Sequence, residues 1–180
     1  MRETEVKILE VDRKKIEKKL AQLGAEKVFD GEVFAVYFDF RDRRIEKSKG
    51  TFRLRKVGDR SYLTFKEFVE HDSMKVRQEH EVEVSDFDKV KHMLESLGMA
   101  SWLTTKKQRT SYKLGKVHFE LDLYSQPYDS IPEFLEIEAE DDETLLKYVK
   151  LLGFKKSECK PWTLLDLAEH YSRQNRAPVS

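Results

Sequence analysis

The chain has 180 residues, and its 34 basic and 34 acidic residues cancel to a formal net charge of zero. Charged residues make up 38% of it, against about a quarter in ordinary domains. A disordered chain would lack the 11 Phe and 7 Tyr found here, and a broad nucleic-acid-binding face would carry excess positive charge. The composition therefore indicates a folded domain with dense charge and no nucleic-acid partner.

Cysteine content and apolar segments bear on where such a domain works. Cys159 is the single cysteine, so no disulfide can form within the chain and a reducing compartment is expected. No apolar stretch approaches the length of a membrane span, and the first residues lack the apolar core of a signal peptide. We therefore expect a cytoplasmic protein with no membrane partner.

A strand followed by a helix is predicted three times along the chain. The strands are predicted at 3–8, 76–84 and 134–139. The helices open at Asp12, at Ser85 or Asp86, and after Asp141-Asp142, and they end at Gly24, Gly98 and Gly153. Asp and Ser side chains cap helix N-termini, and glycine takes the left-handed conformation that ends a helix. Each helix also carries an apolar stripe at helical spacing.

Further elements lie between and after these modules. Strands are predicted at 34–40, 51–57, 61–69, 106–114 and 116–124, with hairpin turns at 58–60 and at Gly115. A charged loop spans 41–50, another loop spans 128–132, and a fourth helix runs from Thr163 to Arg173. We predict an α+β fold in which residues 1–173 form a single domain and residues 174–180 form a flexible tail.

Charge alternates with apolar residues along these strands, which places it on one face. Arg53 and Arg55 oppose Phe52 and Leu54, and Lys107 and Arg109 lie together, whereas four strands place carboxylates together, namely 3–8, 76–84, 117–123 and 134–139. An ordinary solvated sheet gains nothing from neighbouring like charges, and ion pairing of the thermophile type would not sort them by strand. Carboxylates that bind divalent cations and basic groups that bind a polyanion would explain the sorting.

Eight such strands can close into a barrel whose interior holds side chains and one small ligand. The apolar strand faces would then point outward, where the helix stripes could cover them. We therefore predict a closed antiparallel eight-stranded β-barrel, a tunnel with a charged interior that is covered outside by helices. Its ligand would be a small polyanion bound together with divalent metal.

The N-terminal sequence Glu3-Thr4-Glu5-Val6-Lys7 resembles the Glu-x-Glu-x-Lys signature of the CYTH superfamily, the triphosphate tunnel metalloenzymes. The resemblance extends from residue 3 to about 170 and is most similar to the class IV adenylyl cyclase branch. The segments Ser125–Pro132 and Pro161–Leu165 depart from that branch. The other matching segments are Val36–Asp39, Phe52–Arg55, Leu63–Lys66, Arg77–Glu81, Lys107–Arg109, Glu120–Asp122 and Phe134–Glu138.

The resemblance implies Mg²⁺ or Mn²⁺ as cofactor, and it implies site residues. Catalytic roles would fall to Lys7, Glu138 and Arg109. It offers less for Glu83 and Glu120, for which solvated or structural roles serve equally well. Metal ligands would be Glu3, Glu5, Glu79, Glu81, Asp122, Glu136 and Glu138. The triphosphate would be bound by Lys7, Arg53, Arg55, Lys66, Arg77, Lys107 and Arg109.

Three functions stay open at this point. A cyclase would convert ATP to cyclic AMP and pyrophosphate, and a triphosphatase would hydrolyse inorganic, nucleoside or thiamine triphosphate. A third possibility is a non-catalytic polyphosphate-binding module, although such a module gains nothing from acidic metal ligands. The expected partner is a small-molecule triphosphate, and a homodimer is left open.

Overall fold

The computed structural model describes residues 2–69 and 76–174, with side chains described for 4–67 and 78–173. The strands are β1 Arg2–Ile8, β2 Glu26–Phe40, β3 Thr51–Val57, β4 Arg60–Val69, β5 Val76–Val84, β6 Met99–Leu114, β7 Val117–Tyr124 and β8 Phe134–Ala139. The helices are α1 Arg13–Gln22, α2 Arg44–Lys47, α3 Phe87–Ser96, α4 Asp142–Leu151 and α5 Leu164–Gln174, with a 3₁₀ turn at Lys156–Glu158.

The eight strands are hydrogen-bonded in the order β1-β5-β4-β3-β2-β6-β7-β8, which is that of a closed barrel. The pairs β1–β5, β2–β3, β3–β4, β4–β5 and β7–β8 are antiparallel. The predicted α+β class and the predicted eight-stranded antiparallel barrel are therefore confirmed. None of the described helices is long and apolar enough to cross a membrane.

The described residues divide into two compact units. The first unit takes those within 1–4 and 31–107, and the second takes those within 5–30 and 108–180. In the first unit the sheet register sets Phe52 opposite Phe65 and Leu54 opposite Leu63. Phe52, Leu54 and Leu63 belong to an apolar cluster with Leu94 of α3, so α3 packs on the apolar face of this sheet.

The second unit buries a larger apolar cluster. Leu121 of β7 and Leu135 of β8 are opposite each other and have no exposed surface. They pack in one cluster with Leu20 of α1 and Leu145 of α4. Helices therefore cover the apolar strand face in this unit too, and the charged residues lie at the alternate positions.

The predicted helix ends are confirmed. The side chains of Asp12, Asp86 and Asp141 each accept a hydrogen bond from a backbone N–H of the first turn. Gly24, Gly98 and Gly153 follow the three helices with φ of 80°, 88° and 84°. This left-handed backbone costs glycine little, which explains why each helix stops there.

Two predicted strands are much too short. β2 begins at Glu26 rather than at 34, and β6 begins at Met99 rather than at 106. The added part of β2 is largely exposed, with Val28 49% exposed, and the added part of β6 buries only Met99 and Thr105. In the added part of β2 the alternation runs only between exposed and half-buried positions as far as the buried Val33, and the added part of β6 has no regular alternation. These parts are strands because their backbones pair, and burial of one face contributes little.

Smaller differences concern the loop at 41–50 and the end of the chain. The loop contains the short helix α2, and α5 includes Gln174, the first residue of the predicted tail. The rest of that tail, 175–180, lies outside the described residues. α5 packs Leu167 and Tyr171 against Phe134 at the start of β8. The backbone of Lys160 forms a two-bond bridge with Lys7, which ties the segment before α5 to β1.

Candidate active site

Three carboxylates meet on β7 and β8 in the second unit. Glu120 lies opposite Glu136 in the sheet register, and Glu138 follows two positions later on the same strand face. Their oxygens lie within 4.8 Å of one another. Glu120 and Glu136 are buried, while Glu138 is half-buried. We call Glu120, Glu136 and Glu138 the acidic cluster.

Arg109 of β6 inserts a permanent positive charge beside this cluster. Its Nε and Nη2 donate to the two carboxylate oxygens of Asp122 at 2.7 and 2.6 Å, and Nη2 also donates to Glu136 at 3.2 Å. A further contact joins Nη1 to Glu120. Burial opposes the charge, but the carboxylates outweigh it and raise the pKa of the guanidinium well above its ordinary value. Arg109 is therefore charged at any working pH and orients these carboxylates.

Lys7 of β1 supplies a second buried cation. Its Nζ contacts Glu136 and lies 3.6 Å from Glu5. Burial works against the ammonium charge, yet the charges of Glu136 and Glu5, with a smaller contribution from Glu138, raise the pKa of Lys7 above its ordinary value. Lys7 is therefore held positively charged between Glu5 of its own strand and Glu136 of β8.

The acidic cluster fits a divalent metal ion. Mg²⁺ and Ca²⁺ take carboxylate oxygens at about 2.0–2.6 Å, so two ligands of one ion lie no more than about 5 Å apart. The 4.8 Å limit on the cluster meets this condition. Hard oxygen donors suit Mg²⁺ and Mn²⁺ better than softer metals. The cluster can therefore hold such an ion without a large rearrangement.

Basic residues gather in the first unit. The sheet register places Tyr37 of β2, Arg53 of β3 and Thr64 of β4 across from one another, with Arg55 two positions from Arg53 on the same face. Lys107 of β6 acts on the same Tyr37 side chain. We call Arg53, Arg55 and Lys107 the basic cluster. Three cations gathered around one side chain can bind a polyanion such as a chain of phosphates.

Two predicted metal ligands lie with these cations and not in the acidic cluster. Arg55 donates to Glu81 at 2.6 Å, and the Thr64 hydroxyl donates to the same carboxylate at 2.6 Å. Lys66 contacts Glu79 at 2.5 Å. In the described contacts, these two carboxylates neutralise and orient the cations Arg55 and Lys66 of the first unit.

The Tyr37 phenol lies in the field of the basic cluster. Burial raises its pKa, but Arg53, Lys107 and Arg55 outweigh burial and lower the pKa below the ordinary tyrosine value. The phenol therefore ionises more readily than an exposed tyrosine. Its neighbours also prevent it from acting as a purely apolar side chain.

The structure brings most predicted site residues into two sets. The roles assigned to them remain predictions, and the side chains of Glu3 and Arg77 lie outside the described part. Sequence reasoning assigned no site role to Glu120, and its only signal there was its place beside Asp122 on the charged face of one strand; the register sets it opposite Glu136. The set in the second unit contains Glu5, Lys7, Arg109, Asp122, Glu136 and Glu138, and the set in the first contains Arg53, Arg55, Lys66, Glu79, Glu81 and Lys107.

Proteins with similar sequences and folds are known. A protein of Methanocaldococcus jannaschii named "Putative adenylate cyclase MJ0240" is 25% identical over 158 residues, which are 84% of this chain and 88% of that protein. The solved structure of the PH1012 protein from Pyrococcus horikoshii is 29% identical with a TM-score of 0.73, over 92% of this chain and 98% of that one.

A more distant solved structure shares the fold. It is described as a "putative adenylyl cyclase" from Hippeastrum with a dominant triphosphatase activity, and it is 13% identical with a TM-score of 0.58 over 85% of this chain and 88% of that one. The CYTH domain matches residues 1–158, which is most of the chain. The strand order, the acidic and basic clusters and this match agree, and the chain belongs to the CYTH domain family.

Proposed function

We propose that the protein is a divalent-metal-dependent enzyme that converts ATP to cyclic AMP and pyrophosphate. The observation that carries this proposal is the acidic cluster, whose three carboxylates lie within 4.8 Å of one another beside the permanently charged Arg109. A binding module for polyphosphate would gain nothing from such a cluster, because carboxylates repel phosphate. The class IV adenylyl cyclase resemblance and the name of the Methanocaldococcus relative favour the cyclase reaction.

The acidic cluster would hold Mg²⁺ or Mn²⁺, and Glu3 and Glu5 are proposed as further ligands. Such an ion supplies charge neutralisation on phosphate oxygens during phosphoryl chemistry. Asp122 would act mainly through Arg109, since both of its carboxylate oxygens accept from that guanidinium. The ligand role proposed for Asp122 would require this pairing to loosen.

The remaining cations would bind the triphosphate itself. Arg53, Arg55 and Lys107 of the basic cluster would take phosphate oxygens, with Arg77 as a further candidate. Lys66 would join them where its pairing with Glu79 permits. Arginine forks match phosphate oxygens in pairs, whereas lysine acts as a point charge. Lys7 would neutralise a phosphate oxygen near the acidic cluster.

In the cyclase reaction the ribose 3′-oxygen attacks the α-phosphorus. A bond forms between the 3′-oxygen and the α-phosphorus, and the bond from that phosphorus to the bridging oxygen of the β-phosphate breaks. Pyrophosphate leaves with the bonding electron pair. We assign Glu138 to accept the hydroxyl proton, since it is the cluster member with the most exposed side chain. Lys7 and Arg109 would stabilise the negative charge that develops.

A triphosphatase is the second candidate. Water in place of the ribose hydroxyl would attack a terminal phosphorus and release orthophosphate, and the same carboxylates could accept its proton. The activity stated for the Hippeastrum protein makes this reaction worth testing directly, although that likeness shows the fold alone. We propose that the protein works in the cytoplasm, a reducing compartment, because Cys159 can form no disulfide within the chain.

Product analysis tests the proposal. The protein would be incubated with ATP, GTP, thiamine triphosphate or inorganic triphosphate plus Mg²⁺ or Mn²⁺, and the products separated by chromatography. Cyclic AMP with equimolar pyrophosphate would support the cyclase, whereas orthophosphate alone would support the triphosphatase. Glu138→Ala should abolish either product, and Glu140→Ala, an exposed carboxylate two residues away, should abolish neither. Binding without turnover under every condition would overturn the enzyme proposal.

A further inference from the structure

An aromatic pair lies beside the basic cluster in the first unit. The ring of Trp102 on β6 lies 6.1 Å from the ring of Tyr37, with an angle of 58° between them. The Arg43 guanidinium carbon lies 4.4 Å from the centre of the Trp102 ring. Trp102 is half-buried and Arg43 is exposed at its side chain by 37%. We call Tyr37, Arg43 and Trp102 the aromatic platform.

The segment that carries Arg43 is held firmly. The buried carboxylate of Asp39 accepts hydrogen bonds from the backbone N–H groups of Ile45 and Glu46 at 3.1 and 2.9 Å. The Arg43 side chain donates to Glu46 at 2.8 Å. Arg43 itself has a φ of 57°, a left-handed conformation that a non-glycine residue adopts at a cost. The position of the guanidinium over Trp102 is therefore set by several independent contacts.

Tyr37 links the platform to the phosphate-binding cations. It lies directly across from Arg53 in the register of β2 and β3, and its phenol feels the charges of Arg53, Lys107 and Arg55. Tyr37 thus belongs to the platform and also interacts with the basic cluster. A ligand that offers both an aromatic ring and a chain of phosphates could contact both.

Trp and Arg side chains are the groups on which nucleic-acid bases stack in proteins. We propose that Tyr37, Arg43 and Trp102 bind the base of a nucleoside triphosphate by stacking, an inference that rests on the proposed function. The platform would then make this site prefer nucleotides to inorganic triphosphate. A purely structural pair of Trp102 and Arg43 would affect all triphosphates alike, and this difference makes the proposal testable.

The test compares two ligands and matched variants. Affinities for ATP and for inorganic triphosphate, both with Mg²⁺, would be measured by thermophoresis at once after mixing, before turnover. Trp102→Ala should weaken ATP binding by roughly tenfold or more, since stacking of one base contributes about 1–3 kcal/mol. It should change the affinity for inorganic triphosphate less than about twofold. Trp102→Phe should retain most of the ATP affinity.

Trp162 provides the control, because Trp102 and Trp162 are the chain's two tryptophans and Trp162 packs in the α5 cluster of the second unit. Trp162→Phe should leave both affinities unchanged. In that variant Trp102 is the single tryptophan, and ATP should quench its fluorescence more than inorganic triphosphate does. Thermal unfolding of Trp102→Phe would verify that the fold is intact.

The outcomes separate this inference from the function on which it rests. If Trp102→Ala weakens both ligands equally, or leaves ATP binding unchanged, the platform does not bind the base and the proposal is overturned. In both of those cases the parent protein still binds ATP, and the proposed function stands. If the parent protein binds neither ligand, both the function and the platform fail.

Discussion

Lys7 and Arg109 place two buried positive charges among carboxylates that are proposed to bind a metal ion. Lys7 contacts Glu136, and Arg109 donates to the same side chain at 3.2 Å. These cations stabilise the carboxylates when no other cation is near, and an arriving divalent ion must share those oxygens with them. Lys7 is the more replaceable of the two, because Arg109 also holds Asp122 through two hydrogen bonds.

Replacing Lys7 by Met should therefore strengthen metal binding and weaken triphosphate binding. Without the ammonium, Mn²⁺ no longer competes for Glu136, and we expect its affinity to rise several-fold in calorimetric titration. The affinity for triphosphate should fall by about tenfold, as one charge contact is lost. Lys106→Met, which removes an exposed lysine paired with Glu32, should change neither value. Weaker Mn²⁺ binding in Lys7→Met would show that Lys7 supports the metal site.

The ionisation of Tyr37 can be measured directly. Its pKa is lowered because Arg53, Lys107 and Arg55 outweigh the effect of burial, whereas the pKa of Tyr171 is raised to about 12 by burial and by Glu10. In an absorbance titration at alkaline pH, the first phenolate to form should be missing from Tyr37→Phe. If the two titration curves coincide below the ordinary tyrosine pKa of about 10, the assignment is wrong.

The same shift affects stability. The folded-state pKa of Tyr37 lies below the unfolded value. The stabilisation that this shift contributes is therefore complete above about pH 10 and is lost as the pH falls through the folded-state pKa. Urea unfolding of the parent protein and Tyr37→Phe should therefore differ more in the alkaline range than at pH 7. Equal differences at both pH values would contradict the shift.

The sequence predicted which charged residues lie on one face of each strand. It did not predict as well which of these side chains contact one another. Strand alternation placed Glu120 with Asp122, but the choice between a solvated and a site role needed the contact with Arg109. Glu79 and Glu81 illustrate the reverse. Alternation placed both on the charged face of their strand. Only the sheet register shows that their neighbours are Lys66 and Arg55. Register depends on pairing between distant segments, and alternation within one strand does not determine it.

Among the secondary-structure elements, helices were easier to predict than the two longest strands. Residues close in sequence determine where a helix begins and ends, here the Asp caps and the glycines. α1, α3 and α4 begin and end where these residues predict. β2 and β6 extend by eight and seven residues beyond the predicted starts of 34 and 106. Trp102 lies in such an extension, so the aromatic platform could not be predicted without the pairing of β6.

Asp39 stabilises the segment that follows β2. Its buried carboxylate accepts from three backbone N–H groups, including that of Phe40 at 2.7 Å. Asp39→Ala removes these acceptors and should lower the free energy of unfolding by about 1–3 kcal/mol in urea denaturation. Asp42→Ala, which removes an exposed carboxylate paired with Arg44 in the same segment, should cost less than about 1 kcal/mol. Equal losses in both variants would show that Asp39 does not anchor the segment.

In the whole molecule 34 basic and 34 acidic residues cancel, so the net charge does not reveal the separate acidic and basic clusters. The charged strand faces and the helix stripes were sufficient to predict a closed eight-stranded barrel, because a sheet with one charged face can bury its other face under helices. The order in which the strands pair was not predicted. The sequence could not predict the two compact units, whose boundaries fall inside β1, β2 and β6. No composition shift or linker marks a boundary within a strand.

Metal binding should stabilise the folded chain as a whole. An ion that binds only the folded state at one hundred times its dissociation constant adds about 2.7 kcal/mol to the free energy of unfolding, which corresponds to a rise of roughly 5–10 °C in Tm for a chain of this length. Scanning calorimetry with Mn²⁺ should show this rise against KCl of equal ionic strength. Glu138→Ala should remove most of it, and Glu140→Ala, which lies outside the acidic cluster, should retain it. A rise of equal size in Glu138→Ala would place the bound ion elsewhere, because the proposed site would have lost one of three carboxylate ligands.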